Sequence, residues 1–260
     1  MTAFDSIFRW YKGLDQRLRG FPPYWRLSYA LPRGQWVPPP PTPERDAAES
    51  ATDPFGSLWT EAGLARAIDL ARRVLTIAES HDIPLMPFFG TLLGQVREGR
   101  ILPWDDDVDF ALFAPEHVGR LQTACRAAGL GVFEHRWTVG WFFKIFDPAG
   151  LAETQVPWTF PFIDVFPFAE RPERFGHRWR TPPTPLSSVL PGRRGTFEGA
   201  PCWLPERPLE VLDVLYPGWR EWEKSSVWAH QANRGNDVIY ARRIVTDAAG
   251  RKLSPASAGA

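Results

Sequence analysis

Between residues 60 and 82 the apolar positions Leu64, Ile68, Ala71, Leu75 and Ala78 return every three or four residues, so they share one face of a helix, which "DIP" at 82–84 ends. The period then changes. "PLMPFFG" (84–90) is a continuous apolar run of strand length, and Gly90 and Thr91 turn it into a short helix, "TLLGQVREG", that Gly99 stops. "VDFALF" (108–113) predicts a second strand, and "PEHVGRLQTACRAAG" a helix with Pro115 in its first turn and Gly129 past its end. Strands alternating with helices predict the α/β class. Further on, "VFEHRW" and "GWFFKIF" predict a hairpin about Thr138 to Gly140. "FIDVFPF" (162–168) predicts another strand, and "PERPLEVLDVLY" a late helix carrying Leu209, Leu212 and Leu215.

The ends of the chain have different patterns. Phe4, Ile7, Phe8, Tyr11, Leu14 and Leu18 form an apolar helical stripe flanked by Arg9, Lys12, Arg17 and Arg19. It packs on the body or a second copy, or else it is an interfacial helix on an acidic membrane surface. "WVPPPPTPERDAAESATDP" cannot propagate a helix or lie inside a sheet, because proline lacks the amide donor and fixes φ. The expected organisation is an amphipathic segment 1–35, a linker 36–55, a folded body 56–222 and a partly disordered extension 223–260. The Pro-rich stretch 171–195 is expected to be loop, and the tail from about 244 has the composition of disorder.

Composition narrows the function. With 260 residues, 44% of them hydrophobic, the chain can bury a substantial core. Thirty basic against thirty acidic residues argue against a bulk attraction to nucleic acid. Cys125 and Cys202 have no metal-ligand spacing and are expected to be reduced packing residues. No run approaches a membrane-spanning length, so the expected location is the cytoplasm, with residues 1–35 as a peripheral contact at the inner membrane surface if the stripe is interfacial. The five histidines fall outside every motif, and no nucleophile elbow supports a covalent serine intermediate. Trp158, Trp179 and Trp203 could stack on sugars, although a chain with 13 tryptophans mostly packs them.

The candidate chemistry sits in "PWDDDVDFALF". In an extended segment Asp105, Asp107 and Asp109 share a face and Asp106 takes the other. Neighbours ~6–7 Å apart repel by about 2.5 kcal/mol at an effective dielectric of ~20. Asp109, between Val108 and Phe110, belongs to an apolar strand, where an uncompensated anion is costly. Asp164 is likewise a single acid in "FIDVFPF". If the two strands are neighbours, Asp107, Asp109 and Asp164 converge, and a divalent cation with oxygen ligands would relieve their repulsion. Magnesium or manganese suits such a site. Gly90 and Thr91, at a strand end leading into a helix, offer amides, a hydroxyl and the positive helix end to a phosphate, and Arg97 offers a bidentate clamp.

These segments, together with "KIF" and "TFEGAPCWLPERPLEVLDVLYPGW", resemble the LicD/fukutin-related family of nucleotidyltransferase-fold enzymes over roughly residues 56–222. The resemblance implies transfer of a phospho-alcohol, such as phosphocholine or an alditol phosphate, from a CDP-linked donor to a glycan hydroxyl. It implies Asp107 and Asp109 as the paired metal ligands, Asp164 as the third acid, and Gly90 and Thr91 as the phosphate-side turn. Asp105 matches a recurrent acid. Lys144 matches a frequent basic position, either a phosphate contact or a lysine at a strand's solvent edge. Asp164 and Asp105 are both candidates for the base that takes the hydroxyl proton. Two alternatives stand beside this reading: nucleotidyl transfer from an NTP to a small molecule, and a scaffold whose acids hold a structural cation.

Overall fold

The computed structural model describes residues 55–114, 116–137, 140–152, 156–168, 174–175, 184–225 and 240–253. The N-terminal stripe, the Pro-rich linker up to residue 54, Pro115, the hairpin turn at Thr138 and Val139, and Trp179 lie outside these residues.

The first helix, α1 (Glu61–Ser80), starts where Thr60 accepts a hydrogen bond from the Gly63 amide at 3.0 Å, an N-cap the apolar stripe did not require. It buries Ala67, Leu70, Ala71, Val74, Leu75 and Ala78. Strand β1 (Leu85–Pro87) leads into α2 (Phe89–Arg97), followed by β2 (Val108–Leu112) and α3 (Glu116–Ala127). The hairpin strands are β3 (Gly131–Trp137) and β4 (Gly140–Ala152), and β5 is Thr159–Pro167. Beyond them come the short pair β6 (Arg174–Phe175) and β7 (Thr184–Pro185), the hairpin β8 (Arg193–Phe197) and β9 (Ala200–Leu204), α4 (Pro208–Leu215), and the hairpin β10 (Trp222–Ser225) and β11 (Tyr240–Arg243).

The central sheet has the order β1-β2-β5-β4-β3 and is mixed: β2 and β5 run parallel, the other pairs antiparallel. Period-2 alternation separates its faces. Val108, Phe110 and Leu112 of β2, Ile163 and Val165 of β5, and Phe143 and Ile145 of β4 join one core with α1 and α3. Ala111, Phe113 and Phe168 join the other, with Leu92 and Leu93 of α2 and Val211 and Leu212 of α4. Both helix layers are needed, because a strand this apolar exposed on either side would lose roughly 25 cal/mol for each Å² left wet.

Two expectations are corrected. The stretch 171–195 is not all loop: it contains β6, β7 and a 3₁₀ turn at Leu186–Ser188, and β8 begins at Arg193. The tail is ordered at least to residue 253. Thr246 bridges to Lys252, whose amide donates to the Arg97 carbonyl at 2.9 Å, so long-range pairing overrides a composition that locally favours disorder.

Candidate metal and phosphate site

The parallel register of β2 and β5 sets Asp109 directly opposite Asp164, and the antiparallel register of β4 and β5 sets Lys144 opposite Asp164. Partners in register point to the same side of a sheet, so Asp109, Asp164 and Lys144 form one row on the α2/α4 face. Asp107, in the bend just before β2, completes the group: Asp107, Asp109 and Asp164 each offer a carboxylate oxygen, all within 4.8 Å of one another. Asp106 and Asp107 are buried as well, so the strict alternation read through residues 105–109 holds only from Val108, where the strand begins.

Burial, then the charges of Asp107, Asp164 and Asp105, push the Asp109 carboxyl well above its usual range, and Lys144 only partly opposes them. Three hard oxygen donors gathered this closely fit a magnesium- or manganese-type cation.

The helix start serves this site differently from expectation. The Thr91 hydroxyl is buried and accepts the Asp109 backbone amide at 2.8 Å, which ties the first turn of α2 to β2 beside the ligand. Gly90 makes room for another acid: a Cβ there would lie 2.1 Å from Oδ2 of Asp105. The Asp105 carboxylate therefore stands over the first turn of α2, where the helix dipole favours an anion. Its backbone is fixed by Trp59, whose Nε1 donates to the Asp105 carbonyl at 2.6 Å.

Two sequence-derived roles change. Lys144 is not a solvent-edge lysine, and its ammonium is committed to a carboxylate: Nζ donates to both oxygens of Asp164, at 2.7 and 2.8 Å. Arg97 lies in the last turn of α2, ~10 Å along the helix from Gly90. It is buried over the Trp104 ring at 5.7 Å, and the charges acting on it are Glu223, Glu98 and Arg242. Its Nε and Nη2 have no hydrogen-bond partner among the described residues. Burial lowers its pKa from the arginine value, and its neighbours Glu223 and Arg242 belong to the C-terminal extension.

Sequence reasoning missed Tyr216, just past α4. Burial, then the carboxylates of Asp105, Asp109 and Asp107, hold its phenol well above the ordinary range, so it is a neutral donor beside the acids. The signal available was a polar-tipped aromatic ending an apolar helix. His81 and His117 are engaged locally, with Ile77 and Ser80 and with Arg120. Cys125 and Cys202 are free, buried and pushed up to about 12 by burial, in keeping with packing roles. Trp158 is buried among Phe133, Phe162 and Lys144, and Trp203 lies under Arg194, so neither presents an open sugar platform.

Residues 82–207, which contain every member of the acidic row, match the family model for the LicD/FKTN/FKRP nucleotidyltransferase domain. The chain carries a LicD domain over these residues. Its LicD domain thus spans β1 through β9, with α1 packed on it from outside the matched range. Two solved structures of ANT(2")-Ia show partial likeness. A crystal structure in complex with adenylyl-2"-tobramycin is 21% identical, covers 53% of this chain and 68% of that chain, and has a TM-score of 0.37. A solution structure is 19% identical, covers 58% and 74%, and has a TM-score of 0.36. No curated protein matches the chain. Among the described residues no helix is long and apolar enough to cross a membrane.

Proposed function

We propose that this chain is a divalent-cation-dependent transferase that moves a phospho-alcohol from a CDP-linked donor to a hydroxyl of a glycan or glycolipid precursor. The observation that carries the reading is the convergence of Asp107, Asp109 and Asp164 inside the matched domain. These three carboxylates would hold magnesium or manganese, which when bound neutralises charge on a diphosphate. Thr91 keeps the Asp109 backbone in place. Both oxygens of Asp164 accept from Lys144, so the proton-accepting role falls to Asp105. In the reaction the acceptor oxygen bonds to the phosphorus bearing the alcohol, its proton passes to Asp105, the P–O–P bridge breaks, and CMP leaves.

The test is product analysis with a panel of CDP-alcohols, using water or a sugar alcohol as surrogate acceptor. The expected product is CMP in stoichiometric step with the phospho-alcohol product, lost in Asp107→Asn. Pyrophosphate released from CTP would assign nucleotidyl transfer instead.

A further inference from the structure

We infer that Trp59 and Arg242, both outside the matched domain, are positioning residues for the acidic centre: between them they clamp residues 103–105, the segment that leads into Asp107. The inference rests on the metal-site part of the proposed function and not on the identity of the donor.

Asp109 and Asp164 stand on paired strands, whereas Asp107 precedes β2, so the sheet anchors it on one side only. On its other side, three consecutive residues are each held by a residue outside 82–207. The Pro103 carbonyl accepts from the Leu58 amide at 2.8 Å, the Trp104 ring packs against Phe55 and Arg242, and the Asp105 carbonyl accepts from Trp59 Nε1 at 2.6 Å. Trp59 is itself fixed: its ring is buried and stacks on Phe160 of β5, with centroids 5.5 Å apart. It therefore ties the segment before Asp107 to the strand that carries Asp164.

The C-terminal extension supplies the second hold. The guanidinium of Arg242, on β11, lies 4.3 Å from the Phe55 ring centroid and 5.8 Å from that of Trp104, and these two rings meet edge to face at 5.4 Å. Its Nε donates to Glu223 of β10, which is fully buried and also accepts from Lys252 Nζ at 2.6 Å. A buried carboxylate with two charged donors keeps the guanidinium over the rings. Trp59 touches the Asp105 backbone and Arg242 the Trp104 ring, so both act on the acids through the segment between them. Slackening either hold lets Asp107 shift against Asp109 and Asp164, whose separation the β2–β5 register sets. Removing outer contacts of this kind weakens metal binding by about 10–100-fold.

The test is Mn2+ titration of the full chain without nucleotide at pH 8, with free Mn2+ read by electron paramagnetic resonance, for wild type, Trp59→Phe, Arg242→Gln and Val74→Ala. Trp59→Phe keeps an aromatic ring on Phe160 and removes the indole donor, and Arg242→Gln keeps a donor for Glu223 and removes the cation. Val74→Ala opens a cavity in the buried face of α1 and controls for lost stability alone. Trp59→Phe and Arg242→Gln should each weaken Mn2+ binding about tenfold or more, and Val74→Ala should bind as wild type does. Unchanged affinity in both variants, or equal weakening in Val74→Ala, overturns the inference while leaving the metal site standing. Unchanged affinity in one alone removes that residue from the clamp. No Mn2+ on the wild type overturns the metal site itself, and the proposed function with it. Should either variant lose its fold, Arg242→Lys, which keeps the charge beside Glu223 and loses the guanidinium over the rings, must show the weakening, and wild-type affinity there counts against the inference.

Discussion

Asp109→Asn should make the metal-free protein more stable and remove its response to metal. The Asp109 carboxylate lies within 4.8 Å of those of Asp107 and Asp164. At that separation each repulsion is ~3.5 kcal/mol at an effective dielectric of ~20. Lys144 attracts in the opposite sense, and proton uptake by the acids caps the penalty, so a net gain of about 1–3 kcal/mol is expected near neutral pH. The sign of the pH dependence follows from the raised carboxyl. Between its unfolded pKa, near ~4, and its raised folded value, the folded wild type binds more protons than the unfolded chain, so wild-type stability falls as pH rises through that window. An amide has no such dependence. The two proteins should converge toward pH ~5 and diverge toward pH ~8. Asp147, held below its usual value by the Ala149 backbone amide and then Arg73, and Glu223, held below its usual value by Lys252 and Arg242 against the opposing effect of burial, give the opposite slope. Their stability is lost only as pH falls through those lowered values, outside the window and equally in both proteins. Urea denaturation in chelator across this range, repeated with Mg2+, is the assay. An Asp109→Asn protein that is less stable than wild type without metal at pH 8, or that Mg2+ stabilises as strongly as wild type, would refute the reasoning.

Other substitutions probe what holds the site. Thr91→Val leaves the Asp109 amide without its acceptor and should cost about 1–3 kcal/mol in chemical denaturation, whereas Thr91→Ser should cost much less. Gly90→Ala must displace the Asp105 carboxylate from the first turn of α2, so CMP release should fall at least about tenfold with a smaller change in melting temperature. Arg97→Lys should lower stability through its contacts with Trp104 and the Glu223 side while leaving turnover per folded molecule near wild type; a selective loss of turnover would return Arg97 to the phosphate.

The acids were legible because each broke an apolar strand: Asp109 and Asp164 stand out in "VDFALF" and "FIDVFPF", and strand adjacency was the single assumption needed to join them. Lys144 was ambiguous for the same reason that Asp164 was clear. A strand shows which residues share a face, but only the β4–β5 register shows that this lysine meets that aspartate. The position of Asp105 depends on how residues 98–107 close back on α2, a tertiary contact with no local period. The β8–β9 hairpin was hidden in a Pro-rich stretch, although Glu198 and Gly199, with φ of 48° and 81°, form the two-residue turn such a hairpin uses. The C-terminal extension looked disordered because its apolar content is low. Its order comes from polar contacts made far away in sequence, with Glu223 accepting from Arg242 and Lys252.

The account stands most directly on whether a cation and a diphosphate meet at the acidic row. Crystals grown with Mn2+ and CDP, measured for anomalous scattering, would decide it. The predicted result is an anomalous peak within coordination distance of Asp107, Asp109 and Asp164, with the CDP phosphates in contact with it and Lys144 still on Asp164. An anomalous map with no peak there, or CDP bound elsewhere on the chain, would contradict the account.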